Sequence, residues 1–175
     1  VEGRKKVFKQ LEKIDFSEDW VWFHAASLGE FEQAVPIMEA IKENYPTYKI
    51  LVSFYSPSGY ENKKKHPLAD AIVYLPLDTP KNAKRFVSII KPKLAFFIKY
   101  DIWPNFLKEL QIQNIRTFLI SGAFRKDQIY FKPYGGLFRE ALRVFEHIFL
   151  QNETSKELLK TINITNTTVS GDTRF

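Results

Sequence analysis

Short apolar runs alternate along the chain with longer stretches in which apolar residues recur every three or four positions. The runs at 21–26, 50–54, 71–74, 94–98, 117–120, 147–150 and 167–169 predict strands. The periodic stretches at 29–44, 59–66, 80–90, 103–111, 134–145 and 154–161 predict helices, the first with Phe31, Ala34, Val35, Met38 and Ile41 on one stripe. Strands that alternate with helices predict a parallel sheet. A run as unbroken as Leu94-Ala95-Phe96-Phe97-Ile98 predicts burial on both faces, and right-handed crossovers then give a doubly wound, Rossmann-like α/β layer. Residues 1–19 read as a basic, amphipathic lead-in helix, and the whole of 1–175 as a single domain.

Composition narrows the chemistry. With 45% hydrophobic residues and 16 Phe the 175-residue chain can bury a substantial core, which excludes a disordered tail or linker. Cysteine is absent, so disulfides and thiolate metal ligands are excluded. His24, His66 and His147 make no metal-binding spacing, and neither a G-x-G-x-x-G turn after the first strand nor a P-loop is present, so no metal or cofactor is expected. No apolar run approaches the roughly 18 to 20 residues of a membrane span, and no signal peptide is visible. Asn152, Asn163 and Asn166 begin formal glycosylation sequons that read as caps and turns.

The net charge of +6 points to an acidic partner. Its lysines and arginines lie in short runs, Arg4-Lys5-Lys6, Lys63-Lys64-Lys65 and the stretch 81–93, which are equally the pattern of solvated helix faces. A nucleic acid is not expected, because no reading motif accompanies the charge.

Four segments could carry chemistry. In Trp22-Phe23-His24-Ala25-Ala26-Ser27-Leu28-Gly29-Glu30 an apolar strand runs straight into a glycine turn with one carboxylate, at the carboxyl edge where open α/β sheets bind ligands. Ser27 and Glu30 can form a helix capping box, or Glu30 can be a general base. Ser56-Pro57-Ser58-Gly59 opens the helix after the second strand, either as a cap or as an anion site. After the fourth strand, Tyr100-Asp101-Ile102-Trp103-Pro104-Asn105 stiffens a turn and fixes an indole, for packing or for a ligand. Arg125, in Ser121-Gly122-Ala123-Phe124-Arg125, can meet a phosphate or carboxylate through its planar fork, or simply face solvent.

The first of these segments resembles the catalytic S-x-G-E element of bacterial 3-deoxy-D-manno-octulosonic acid (Kdo) transferases. In the same order, Ser56-Pro57-Ser58-Gly59 resembles the family's T-x-T-G-like element and Trp103-Pro104-Asn105 its E-T-E-L-W-P-N element, with Lys99 in place of the first Glu and Asp101 in place of the second. Arg125 stands in a loose counterpart of N-A-R-L-S, and Gly171-Asp172-Thr173-Arg174-Phe175 resembles the passage to a second domain. The resemblance implies the N-terminal, acceptor-binding half of a two-domain GT-B glycosyltransferase. It further implies inverting transfer of Kdo from CMP-Kdo to the lipid A precursor in lipopolysaccharide synthesis, without a bound metal, at the cytoplasmic face of the bacterial inner membrane. The donor would sit mainly in a second domain, a membrane anchor would precede the first, and the chain would be a piece of a longer protein, inactive alone. Glu30 would be the base, with Ser27, Gly29, Ser56, Ser58, Gly59, Asp101 and Arg125 around the substrate. The competing expectation is a non-catalytic Rossmann-like module that binds an anionic partner through its basic face.

Overall fold

The computed structural model describes residues 2–63 and 65–175, so Lys64 of the second basic run lies outside the described residues. Seven parallel strands form one sheet in the order β3-β2-β1-β4-β5-β6-β7. They are β1 (Trp20–Ala25), β2 (Lys49–Phe54), β3 (Ala71–Tyr74), β4 (Leu94–Ile98), β5 (Arg116–Gly122), β6 (His147–Leu150) and β7 (Thr167–Val169). The strand order reverses between β1 and β4, which makes the gap above those two strands the switch point of the sheet.

Helices α1 (Glu2–Lys5) and α2 (Val7–Glu12) precede the sheet. Where one lead-in helix is expected over 1–19, the described residues make these two short ones; after Glu12 the Lys13 and Ile14 N–H groups return to the Gln10 and Leu11 carbonyls, and the Asp15 side chain accepts the Ser17 N–H in a turn. The crossovers are α3 (Leu28–Asn44), α4 (Pro57–Lys63), α5 (Pro80–Ile90), α6 (Pro104–Ile112), α7 (Gly136–Leu142) and α8 (Glu153–Lys160), with a 3-10 turn at Ile129–Phe131. Strand and helix bounds follow the hydrophobic pattern to within a few residues. Among the crossover helices the largest shifts, of two and three residues, fall at α4, expected at 59–66, and at α7, expected at 134–145.

Strand β1 shows how the two cores are built. Trp20 and Trp22 point to one face, where Trp22 meets Phe86, Phe97 and Phe106 in a core closed by α2, α5, α6, α7 and α8. Val21, Phe23 and Ala25 point to the other, against Phe31, Ala34 and Met38 of α3. Each aromatic side chain buried in this way contributes about 1.5–3 kcal/mol. Burial on both faces fails from β4 onward, where Phe118 of β5 and Phe149 of β6 are half-buried on the same face as Phe96. Leu94 and Phe96 of β4 are only half-buried, and a cleft of about 360 Å³ opens between Ile37, Phe96, Ile120, Phe149, Ser170 and Thr173. The cause is topological: α3 and α4 lie over the β1–β2–β3 side of that face, and among the described residues no helix follows over β5 and β6.

The last residues turn back toward α3. Gly171 adopts a φ of 83° that favours glycine, Thr173 donates its hydroxyl to the Gln33 carbonyl, and Gln33 Nε2 donates to Asp172 at 3.4 Å. The closing segment therefore clasps the helix that begins beside Glu30.

Candidate active site

The carboxyl ends of β1, β2 and β4 converge on one polar cluster. After β1, Ser27 caps α3 in an extended conformation, and its hydroxyl faces the Glu30 backbone N–H at 3.5 Å. The same hydroxyl donates to Glu30 Oε2 at 3.3 Å, while Oε1 is buried without a protein partner. Ser27 thus supplies its half of the capping box, whereas the Glu30 carboxyl meets the Ser27 hydroxyl instead of the Ser27 backbone N–H. Burial, and after it the nearby Asp101 carboxylate, push Glu30 up from 4.5 to about 8, against smaller opposing pulls from Ser27, Lys99 and the Ala26 backbone. A carboxyl group near 8 is a strong enough base to take a hydroxyl proton and still release it near neutral pH.

After β4 the chain makes a strained turn. Lys99 adopts a φ of 66°, and Asp101 N–H returns to the Ile98 carbonyl at 3.2 Å. This turn aims Asp101 back at β1, where its Oδ2 lies 2.7 Å from Nε2 of the wholly buried His24. The approach is bent away from hydrogen-bond geometry, and neither atom has another partner. Tyr130 closes the same side, donating its hydroxyl to the Tyr100 carbonyl at 3.1 Å. Burial holds its phenol well above the ordinary range, with Asp101 and Tyr100 adding to the shift.

The Trp-Pro-Asn element divides its work. Pro104 opens α6, and Asp78 receives the backbone N–H groups of Asn105 at 3.2 Å and Phe106 at 3.0 Å, capping the helix from another loop. That leaves Trp103 projecting into the cluster, edge-on to His24 at 5.7 Å and against Tyr55 at 4.9 Å, with its indole N–H buried and unpartnered. Arg4 of the lead-in region reaches the same place: its guanidinium lies 4.2 Å from the Tyr55 ring centre, and it donates to the Tyr55 carbonyl at 2.8 Å.

The other predicted residues are placed less uniformly. Gly29 is exposed, and a Cβ there would meet only Ser27 Oγ at 4.0 Å, so the glycine leaves open space above the turn. Ser56 and Ser58 bond each other at 2.7 Å, and the Ser56 N–H donates to the Ala26 carbonyl, which ties the loop after β2 to the loop after β1. Gly59 faces inward: a Cβ would stand 2.5 Å from the Phe54 ring, so helix packing demands this glycine. Arg125 sits at the rim, exposed, 3.4 Å from Asp127 and 5.6 Å from the Tyr100 ring centre; its contacts are with these residues and not with Glu30 or Asp101. Among the described residues no group of three or more acidic or histidine side chains could hold a metal ion.

His24, Ser53 and Tyr130 carry weight that the sequence reading passes over. The signal for His24 was present, since it is the one ionisable residue in the strand Trp20–Ala25. Ser53 and Tyr130 gave none, because their roles depend on strand pairing and on a distant loop.

Known proteins resemble this chain in sequence and in fold. Residues 2–175 match the family model described as 3-deoxy-D-manno-octulosonic-acid transferase (kdotransferase). A 3-deoxy-D-manno-octulosonic acid transferase of Aquifex aeolicus is 27% identical over 97% of this chain and 44% of its own length. One from Haemophilus influenzae is 34% identical over 59% of this chain and 24% of its own length. The chain therefore spans less than half the length of these relatives. Among solved structures, UDP-GlcNAc 2-epimerase from Neisseria meningitidis superposes with a TM-score of 0.63 at 15% identity, over 89% of this chain and 47% of that one. Acinetobacter baumannii MurG does so with 0.55 at 11%, over 88% and 44%. These likenesses show the fold alone: a doubly wound layer of the GT-B kind.

Proposed function

The chain belongs to the 3-deoxy-D-manno-octulosonic-acid transferase family, and from that premise we propose that it is the acceptor-binding half of a glycosyltransferase that transfers Kdo. The observation that carries this reading is the Glu30 carboxyl group, buried at the switch point of the sheet with one oxygen unpartnered and its proton affinity raised to about 8. In the proposed step Glu30 removes the proton of an acceptor hydroxyl as that oxygen attacks the anomeric carbon of Kdo. The carbon's bond to the CMP phosphate breaks from the opposite side, CMP departs with the electron pair, and the configuration inverts. Asp101 raises the basicity of Glu30 by charge. Ser27 orients the carboxyl group. The space left by Gly29, and the hydroxyls of Ser56 and Ser58, would border the acceptor sugar. Gly59 would act by packing, and Arg125 would reach an acidic group only at the rim.

The donor in this proposal is CMP-Kdo, held mainly by a second domain, and the acceptor is the phosphorylated lipid A precursor of lipopolysaccharide synthesis. Basic runs such as Lys63 and the stretch 81–93 would draw the full-length protein to the anionic cytoplasmic face of the bacterial inner membrane. Among the described residues no helix is long and apolar enough to cross a membrane, so this chain's share of the attachment would be electrostatic. Binding to anionic vesicles should then weaken with salt, and salt-insensitive binding to neutral vesicles would count against it.

The direct test is Glu30→Gln in the full-length enzyme. Gln can still occupy the helix start but cannot take up a proton. Transfer from CMP-Kdo should fall by about a thousandfold, the usual scale of a lost general base, without loss of stability. A Gln variant that keeps most of its activity would remove Glu30 from the chemistry and favour the binding-module reading.

A further inference from the structure

Four side chains form a line of polar contacts through an otherwise apolar core. Trp22 Nε1 donates to Ser53 Oγ at 2.8 Å, Ser53 Oγ lies 2.8 Å from His24 Nδ1, and His24 Nε2 faces Asp101 Oδ2 at 2.7 Å. The 2.7 Å approach of Nε2 to a carboxylate oxygen requires a proton between them; with that proton on Nε2 of a neutral imidazole, Nδ1 accepts from the Ser53 hydroxyl, whose oxygen accepts from Trp22 Nε1–H. In this assignment the Nε2 proton is directed at Asp101. His24 and Ser53 are both fully buried, and the rings of Phe97 and Trp103 stand 5.9 and 5.7 Å from the imidazole.

Such a line is costly to place in a core. An apolar residue at position 24 would pack against Phe97 as Trp22 does, and would need neither Ser53 nor Asp101. The line also ends at the active cluster: its last member is the carboxylate that the strained Lys99 turn aims back at β1.

We propose that His24 is a positioning residue for the transfer reaction: its Nε2–H holds the Asp101 carboxylate in place beside Glu30, and Ser53 fixes the imidazole tautomer that makes this possible. The inference rests on the reading of Glu30 as the base.

Two substitutions at His24 in the full-length enzyme separate this role from plain packing. Gln places an amide N–H near the position of Nε2 and can reach Asp101, whereas Asn places its polar atoms near Nδ1 and can reach only Ser53. His24→Gln should keep kcat within about threefold of the native enzyme. His24→Asn should lower kcat by about tenfold or more, with the acceptor KM changed less than about twofold, because the lost contact serves the transition state rather than binding. A purely structural role reverses the order, since Asn keeps the Ser53 contact, so an Asn variant as active as the Gln variant overturns the proposal. If neither folds, Ser53→Ala decides the matter by deleting one atom: kcat should fall by about threefold or more at unchanged KM, and an unchanged kcat overturns it. The two readings fail separately. An active Glu30→Gln enzyme removes the base, whereas equal Gln and Asn variants at position 24, in an enzyme that Glu30→Gln silences, remove only the positioning.

Discussion

The two edges of the sheet treat charge in opposite ways. At the amino edge, where β1, β2, β4 and β5 begin, acidic and basic residues are exposed and paired: Lys49 with Glu18 at 3.7 Å, Lys93 with Asp19 at 3.9 Å, and Arg116 with Glu146 at 2.8 Å. At the carboxyl edge Glu30 Oε1, Trp103 Nε1 and Arg4 Nε are buried without a hydrogen-bond partner, and His24 Nε2 and Asp101 Oδ2 meet only in a bent contact at 2.7 Å. Buried polar groups without partners destabilise a fold by about 1–3 kcal/mol each. Among the described residues such atoms gather around the carboxyl ends of β1, β2 and β4, with Thr167 Oγ1 at the start of β7 the exception. The difference teaches where the site lies without any reference to sequence motifs, and it is the edge that the strand order designates.

The largest effect should come from removing the most unfavourable charge. Glu30 holds its proton at about 8 in the folded chain against 4.5 for the ordinary group. Its contribution to stability is fully present below about pH 4.5 and is lost as the pH rises through about 8. Glu30→Gln has no such loss, so its stability should match the native chain in mild acid and exceed it increasingly up to about pH 8. At about 1.4 kcal/mol per pKa unit the gap reaches a few kcal/mol. Denaturant unfolding at pH 5, 7 and 9 checks this, and a constant gap would mean that the carboxyl group is not specially buried.

A smaller effect separates packing from binding within the same edge. Gly59→Ala places a methyl group against Phe54 and should destabilise the chain by about 1–3 kcal/mol, while any activity it retains should show an unchanged acceptor KM. A raised KM at native stability would return Gly59 to the ligand. The smallest effect belongs to the amino edge. Lys49→Ala breaks an exposed pair and should change stability by less than about 0.5 kcal/mol and transfer not at all. A large loss there would erase the contrast between the edges.

Much of this was legible in the residues. The strand and helix pattern, the switch-point position of Ser27-Leu28-Gly29-Glu30 and the stiff turn at Trp103 all follow from local sequence. Local sequence was also blind in specific ways. It could not separate the two readings of Glu30, whose carboxyl group has one oxygen on the Ser27 hydroxyl and the other buried without a partner. It grouped Gly59 with Ser56 and Ser58, although a ring from the preceding strand decides that position. It read Leu94–Ile98 as covered on both faces, because an apolar run does not reveal whether a helix lies over it. His24 needed its partners, and these come from β2 and from the turn after β4.

The central claim is that Glu30 is the base at the open edge, and the pH dependence of kcat/KM for Kdo transfer by the full-length enzyme tests it most directly. With the free-enzyme carboxyl group near 8, the account predicts a rise of about tenfold per pH unit below about pH 8 and a plateau above it, with the rising limb absent from Glu30→Gln. A profile flat from about pH 6 to 9, or one whose limb persists unchanged in Glu30→Gln, would contradict it.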